Sequence, residues 1–409
     1  MQRRLLGLWI AGLLLASATT AVARVGTSDA PIALETSPGT DTAPTSNPAT
    51  VPTTTITPTT TAAAAPAATS APRVTTPTTT AKQPSALVRT PAVVDQPGLY
   101  AVRRDGTGLR RVLGECRSEI REWVDADEFV TTTQANPTLR RVRLDGQVTP
   151  FPLPVVTGPS GQQHQLQGFG SPSPEGTRMV LSFGGANYGV AIVDLAGQTA
   201  TAVLWGDNPT PTWSPSGEIL LVGPSTTTLI DASGATLRAA APSPIAMGQP
   251  WLLWSPDGRQ LLAASASDWN RWMVMDPRTN TSRTVPFLGQ GRNDVAWAGS
   301  NRVVIAEPGI DHGRLPTTSV WDLGSGKVTK IADGAYRLAV PVDGQVVAFE
   351  DWSTHRAVGL VSIDGSRRSD LLTVAKGLFV APHSWSPDGT WLLADVCADT
   401  RSGGSLPTT

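Results

Sequence analysis

The chain has 409 residues and is rich in Gly (39) and Pro (35), a composition that favours many turns over long helices. Its 32 Lys and Arg balance 33 Asp and Glu, so a global electrostatic attraction to nucleic acid is not supported. Two Cys are too few for a cysteine-rich scaffold or a four-Cys zinc site.

The first 23 residues have the pattern of an export signal. Arg3 and Arg4 precede the apolar stretch Leu5–Ala18, and Ala21–Ala23 fits a small-residue cleavage site. The stretch is shorter than the roughly 20 apolar residues that span a bilayer. We therefore expect a signal peptide at 1–23 and a secreted or extracytoplasmic protein at the periplasm or cell envelope. An uncleaved N-terminal anchor is the alternative, and only that anchor would touch a membrane.

Residues 24–95 are interpreted as a disordered, low-complexity linker. Thr, Pro and Ala fill 36 of the 46 positions of 36–81, which leaves no apolar face whose burial offsets chain entropy. Pro keeps such a chain extended, which suits a spacer, and Thr beside Pro is a plausible O-glycosylation substrate. A tolerated disordered tail is the alternative. The excess of Arg over Lys, 28 to 4, indicates a GC-rich bacterial genome.

A phrase that contains Trp-Ser-Pro-Asp-Gly recurs after the linker. Its copies begin 41 to 49 residues apart, and about 40–45 residues is the length of one blade of a β-propeller. The good matches are Trp213–Gly217, Trp254–Gly258 and Trp385–Gly389, and the degraded copies begin at Trp123, Pro172, Trp297 and Val340. Each copy is followed by an apolar run and then by a second run that ends near an Asp-containing turn. These turns suit hairpins because Asp bonds nearby amides and Gly accepts positive φ.

The two chain ends of the repeat region complement each other. No Asp-containing hairpin follows the last Trp phrase, at Trp385–Gly389. Conversely, the first Asp-containing hairpin, around Asp105-Gly106, has no Trp phrase before it. A C-terminal strand pair and the strands near Gly98–Arg104 and Leu109–Leu113 would then form one shared blade and close the ring. The prediction is an all-β, seven-bladed propeller over 96–400 with a disordered tail at 401–409; six blades is the runner-up.

The Trp-Ser-Pro-Asp-Gly phrase, followed by an aliphatic strand and an Asp-containing hairpin, resembles the TolB-type (WD40-like) propeller repeat over about residues 96–400. The resemblance implies a propeller and a periplasmic or extracellular location, and it brings no catalytic set. The N-terminal domain of TolB itself is not recognisable, because the Thr/Pro-rich spacer occupies its place.

The two cysteines are predicted to form a disulfide. Cys116 follows the outer strand of the shared blade and Cys397 ends its second strand, and both points lie on one face of a propeller. Export provides an oxidising setting. Two separate buried thiols are the alternative, and a redox pair is disfavoured because the chain has no C-x-x-C.

No linear motif for catalysis, metal binding or a cofactor was found: the chain lacks G-x-S-x-G, H-E-x-x-H and P-loop patterns. We predict no catalytic residue, cofactor or metal ligand. His164, His312, His355 and His383 are all expected in loops, far apart in sequence. The recurring Trp213, Trp254, Trp297 and Trp385 are expected to pack between blades, because a repeated position serves the repeated core.

Binding residues are expected on the propeller face with variable connections. The tight turns between the first and second and between the third and fourth strands of each blade share one face, and the remaining connections share the other. Binding residues concentrate on variable loops held by a rigid scaffold, and Trp, Tyr and Arg are frequent interface anchors. The predicted residues are Tyr188, Trp269, Arg271, His312, Arg314, Trp352 and His355.

The sequence leaves three functions open. The first is an exported, monomeric, non-catalytic module that presents this face to a protein, peptide or glycan. The second is a propeller enzyme, such as a lyase, lactonase or glycan hydrolase, whose residues gather around the central channel without a linear motif. The third is a purely structural envelope component.

Overall fold

The computed structural model describes residues 91–116, 121–133, 136–158, 161–183, 188–205, 209–245, 252–268, 271–286, 294–308 and 315–399. The predicted signal segment, the linker up to residue 90 and the predicted tail lie outside these described residues. No helix in the described part is long and apolar enough to cross a membrane.

Thirty β-strands make up the described secondary structure. The first half of the chain contains β1 Ala92–Val94, β2 Gly98–Arg103, β3 Arg110–Leu113, β4 Arg121–Trp123, β5 Glu128–Thr133, β6 Asn136–Arg143, β7 Val148–Phe151, β8 Val155–Thr157, β9 Gln163–Pro172, β10 Arg178–Phe183, β11 Gly189–Asp194, β12 Ala200–Trp205, β13 Thr210–Trp213, β14 Ile219–Val222 and β15 Thr226–Ile230. The second half contains β16 Thr236–Pro242, β17 Leu253–Trp254, β18 Leu261–Ala264, β19 Trp272–Asp276, β20 Thr281–Thr284, β21 Asp294–Trp297, β22 Arg302–Glu307, β23 Thr317–Asp322, β24 Val328–Asp333, β25 Ala335–Ala339, β26 Val346–Asp351, β27 Ala357–Ser362, β28 Arg368–Val374, β29 Leu378–Trp385 and β30 Trp391–Ala398.

The strands form seven sheets, which confirms the seven-bladed propeller. Blade 1 has the order β29-β30-β2-β3, so its inner strands come from the C-terminal part of the chain and its outer strands from the N-terminal part. Blades 2 to 7 are built from β4–β7, β9–β12, β13–β16, β17–β20, β21–β24 and β25–β28. The predicted shared blade is therefore present, and it leaves no open edge between the two chain ends.

Two strands were not predicted. β1 pairs in parallel with β28 and adds a fifth, outer strand to blade 7, although its residues lie in the segment that the sequence analysis assigned to the linker. β8 pairs with β9, which turns the predicted long loop before blade 3 into a hairpin. His164 lies in β9 and is buried, and His383 lies in β29. The prediction that all four histidines occupy loops is therefore wrong for these two.

The core lies between the blades. Central strands such as β14 and β18 are buried on both faces because a neighbouring blade covers each side, and each is a continuous apolar run. The recurring Trp side chains also reach across blades. The Trp385 indole donates to the Ala339 carbonyl over 3.1 Å and the Trp297 indole donates to the Leu253 carbonyl over 2.7 Å. The predicted packing of the repeat Trp is confirmed for Trp213, Trp297 and Trp385, which are buried, whereas Trp254 is half-buried.

Asp side chains close the turns between the third and fourth strands, as the sequence predicted. Asp231 Oδ1 accepts from the Ser233 amide over 2.8 Å, and Asp364 Oδ1 accepts from the Ser366 amide over 3.0 Å. The hydroxyl and amide of Ser233 hold the pKa of Asp231 below its usual range. Hydrogen bonds of this kind, from nearby amides to an Asp side chain, stabilise the turn of each hairpin locally.

A disulfide joins Cys116 and Cys397, with their Cα atoms 5.5 Å apart, which confirms the predicted pairing. Cys397 lies in β30 and Cys116 follows β3, so the bond fastens the second strand of blade 1 to the end of its outer strand. It links chain positions that are 281 residues apart. The ring is thus closed covalently at the blade that the two chain ends share.

Candidate functional site

The two faces of the propeller differ in construction. We call the face with the turns between the first two and the last two strands of each blade the turn face, and the face with the other connections the loop face. The sequence assigns all seven predicted binding residues to the loop face. Trp269, His312 and Arg314 lie outside the described residues, which leaves Tyr188, Arg271, Trp352 and His355 for structural description.

The described loop-face residues differ in their surroundings. Tyr188 precedes β11 and is 44% exposed. The Arg271 side chain is exposed, and its Nε lies 3.6 Å from Asp268 Oδ2. Trp352 is 38% exposed, and its ring lies 5.0 Å from the ring of His355 in an edge-to-face contact. The structure thus brings Trp352 and His355 together on blade 7.

Three further residues complete this blade-7 cluster, which comprises Tyr336, Arg337, Glu350, Trp352 and His355. The Tyr336 ring lies 5.2 Å from the Trp352 ring, again edge to face. Glu350 is buried, and its Oε1 shares a hydrogen bond of 2.5 Å with His355 Nδ1. Its Oε2 lies 3.2 Å from Arg337 Nη1. A single buried carboxylate therefore positions both the Arg337 guanidinium and the His355 imidazole next to the exposed indole.

The backbone around the cluster is unusual and well bonded. Of the four described non-Gly residues with positive φ, two are Arg337 (48°) and His355 (54°), and both contact Glu350. The Asp351 carboxylate accepts from the Ser353 amide over 3.1 Å, and the His355 carbonyl accepts from Val380 of blade 1 over 3.0 Å. Unfavourable dihedrals persist only where surrounding contacts impose them, and they cluster at functional sites.

Sequence reasoning missed Tyr336, Arg337 and Glu350 because they belong to β25 and β26, which the repeat assigns to the core. One signal was available. Glu350 follows the buried apolar run Val346–Phe349, and a carboxylate inside such a run needs a partner when it is buried. A buried acid immediately before an Asp-Trp pair could therefore have indicated a polar cluster at this strand end.

The turn face holds a feature that the sequence did not predict, a cavity of about 560 Å³ at the mouth of the central channel. It is lined by the ends of the inner strands and by the prolines of the repeated turns. Glu122 of β4 is exposed to this cavity, and enclosure by the surrounding protein raises its pKa to about 7. Among the described residues, no group of three or more His, Cys, Asp or Glu could hold a metal ion.

The raised pKa of Glu122 gives a stability prediction. The folded protein binds this proton more tightly than the unfolded chain, so its stability falls as pH rises from the ordinary Glu pKa through about 7. We expect Glu122→Gln to stabilise the protein at pH 8, by on the order of 1 kcal/mol because solvent at this exposed side chain screens the charge, and to leave stability at pH 4 unchanged. Urea unfolding at both pH values measures this difference. An equal effect at both would contradict it.

Comparisons with known proteins match the chain to solved structures of low sequence identity. No protein-family model matches it, and no curated protein matches it. A TolB crystal structure from Acinetobacter baumannii is 18% identical with a TM-score of 0.38, and the match covers 59% of this chain and 62% of that one. A putative TolB from Agrobacterium tumefaciens is 17% identical with a TM-score of 0.44, covering 75% of this chain and 100% of that one.

A third solved structure is the dihydro-heme d1 dehydrogenase NirN in complex with DHE. It is 13% identical with a TM-score of 0.44, and the match covers 75% of this chain and 69% of that one. The match to the Acinetobacter TolB, at 62% of that chain, spans less than two thirds of its length. At these identities a similar chain trace says nothing of a shared ligand or activity.

Proposed function

We propose that this protein is an exported, non-catalytic binding module that presents its loop face to a protein, peptide or glycan at the bacterial cell envelope. The signal-like segment at 1–23 and the Thr/Pro-rich spacer support export. The disulfide supports an oxidising compartment, because such bonds persist mainly outside the cytoplasm. The TolB-like repeat phrase is in keeping with the same location.

The observation that carries the proposal is the exposure of Trp352 within a rigid support. Tyr188 and Trp352 are the largely exposed aromatic side chains of the described residues, and both lie on the loop face. Tyr336 and His355 contact the Trp352 ring edge to face, which limits its rotation before any ligand arrives. A preorganised aromatic side chain loses little entropy on binding, which is why such residues anchor interfaces.

The polar groups around Trp352 suit recognition of a ligand with acceptor atoms. Arg337 is about half exposed and carries guanidinium donors, and His355 is partly exposed beside it. Glu350 is buried, so it positions these two groups and does not itself meet the ligand. An aromatic plane bordered by hydrogen-bond donors fits the apolar face and hydroxyl groups of a sugar, or a peptide segment with its carbonyls.

We expect Trp352→Ala to weaken ligand binding at least ten-fold without unfolding the protein. The measurement is binding of the purified wild type and variant to a glycan array and a peptide array, followed by affinities for the hits. Arg259→Ala on the turn face is the control, since the Arg259 side chain is also highly exposed. Equal binding by Trp352→Ala, or the absence of any wild-type hit at micromolar protein, would contradict the proposal.

The His355–Glu350 pair favours one alternative, a propeller enzyme. A carboxylate bonded to Nδ1 orients an imidazole as a general base requires, and the pair lies beside an exposed surface. Turnover of a panel of chromogenic glycosides, uronides and lactones that disappears in His355→Gln would support this alternative over the binding module. Stoichiometric calcium or zinc in the purified protein would favour it further.

A further inference from the structure

The turn-face cavity is separate from the loop face and plays no part in the proposed function. Its volume of about 560 Å³ lies within the roughly 300–1,000 Å³ that ligand pockets occupy. Its wall is mainly apolar, and representative lining residues are Pro174, Pro215, Leu253, Val342 and Trp254. A cavity of this size and composition can enclose an alkyl chain.

One carboxylate interrupts this apolar wall. Glu122 is the ionisable side chain among the described lining residues, and no described group forms an ion pair with it. Its pKa is raised to about 7 because desolvation by the surrounding protein disfavours the charged form. A carboxylate in such a setting gains from a cation that enters the cavity with it, since the pair costs less to enclose than the lone charge.

Two indole N–H groups in the same wall also lack partners. The indoles of Trp123, Trp297 and Trp385 donate to groups on the preceding blade. By contrast, the buried indole nitrogens of Trp213 and Trp254 have no hydrogen-bond acceptor among the described residues, and both residues line the cavity. An unsatisfied buried donor costs about 1–3 kcal/mol, so the wall of this cavity is less well bonded at Trp213 and Trp254 than at the other repeat Trp positions.

We propose that the turn-face cavity binds an alkylammonium group, with its alkyl chain against the apolar wall and its ammonium paired with Glu122. A free amine or a lysine side chain of a peptide can supply this group.

The site should depend on pH through Glu122. Only the ionised carboxylate attracts the cation, and about one tenth of it is ionised at pH 6 against about nine tenths at pH 8 for a pKa of about 7. Other described ionisable groups on the inner strands or beside β4 do not line the cavity; they are Asp125, Asp127, Glu128, His164, Asp294, Tyr336, Arg337 and His383. Asp294 accepts from the Leu338 amide, Arg337 pairs with Glu350, and Glu128 pairs with Arg141.

The test is calorimetric titration of the full chain with n-pentylammonium, and with n-pentanol as the uncharged analogue. We expect the amine to bind at least ten-fold more tightly than the alcohol at pH 8, and about ten-fold more weakly at pH 6. Glu122→Gln should remove the preference for the amine. Glu175→Gln, which changes a carboxylate in a neighbouring turn outside the cavity wall, should retain it.

A second measurement keeps the proposal testable if Glu122→Gln folds poorly. Carboxyl-carbon NMR of the wild type should show the Glu122 pKa falling by at least one unit when n-pentylammonium is added. Replacing the amine with acetyl-Gly-Lys-Gly-amide distinguishes the sources: tighter binding than the free amine assigns a peptide lysine, and weaker binding assigns a small amine. Equal binding of amine and alcohol, or a Glu122 pKa that does not move, overturns the proposal.

Discussion

Removal of the disulfide is expected to destabilise the propeller by about 5 kcal/mol. The Cys116–Cys397 bond closes a loop over a sequence separation of 281 residues, and the entropy that a crosslink removes from the unfolded chain grows with the logarithm of that length. In the double variant Cys116→Ser, Cys397→Ser, only hydrogen bonds and packing join the C-terminal strands of blade 1 to its N-terminal strands. Urea unfolding of the variant and the oxidised wild type measures the difference.

Reduction provides the control for this prediction. Dithiothreitol should lower the unfolding midpoint of the wild type nearly to that of the double variant, and it should leave the variant unchanged. Because Cys397 is buried, the Ser side chain adds a small cost of its own, which the reduced wild type lacks. A double variant as stable as the oxidised wild type would mean that strand pairing alone closes the ring.

The same bond illustrates which parts of the fold the sequence could predict. The repeat phrase assigns the strands to blades, and this assignment alone puts Cys116 and Cys397 in the same blade and at the same face of the propeller. The predicted strands near Gly98–Arg104 and Leu109–Leu113 correspond closely to β2 and β3. Periodicity predicts these strands because every blade packs on its neighbours in the same way and therefore repeats the same spacing of apolar and turn residues.

Elements outside the repeat could not be predicted in this way. β1 has three residues and pairs in parallel with Leu372–Val374. This pairing depends on the free outer edge of blade 7, and the local sequence of β1 does not indicate that edge. β8 is equally short and pairs with β9 at the free edge of blade 3. Strands of this length carry too few residues for alternation to be recognised, and their position depends on an available edge.

The candidate site was predictable only in its exposed part. Trp352 and His355 were found because variable loops with aromatic and cationic residues break the repeat. Arg337 and Glu350 lie within strands, where the repeat predicts core, and they are brought together by the bulge at Arg337 between β25 and β26. A bulge that turns one side chain toward a neighbouring carboxylate is a three-dimensional feature with no signature in a single sequence.

The glycine of the repeated phrase has a role beyond its turn, and one substitution should reveal it. Gly344 has a φ of 60°, and a Cβ added to it would lie 2.4 Å from the backbone carbon of Ala298 in blade 6. Gly217 occupies the same place in blade 4 with a φ of 88°, and no atom lies within 4 Å of its added Cβ. Both glycine amides donate across the turn, to Pro341 and Ser214.

We therefore expect Gly344→Ala to destabilise the protein by about 3 kcal/mol or more and Gly217→Ala by about 1 kcal/mol. Both variants incur the strain of a left-handed residue, roughly 1–2 kcal/mol, but only Gly344→Ala also forces a methyl group into the backbone of the next blade. Urea unfolding of the matched pair gives the difference directly. Equal losses would mean that the glycine of the repeated phrase serves its own hairpin alone, whereas the expected difference would mean that it also sets how closely neighbouring blades pack.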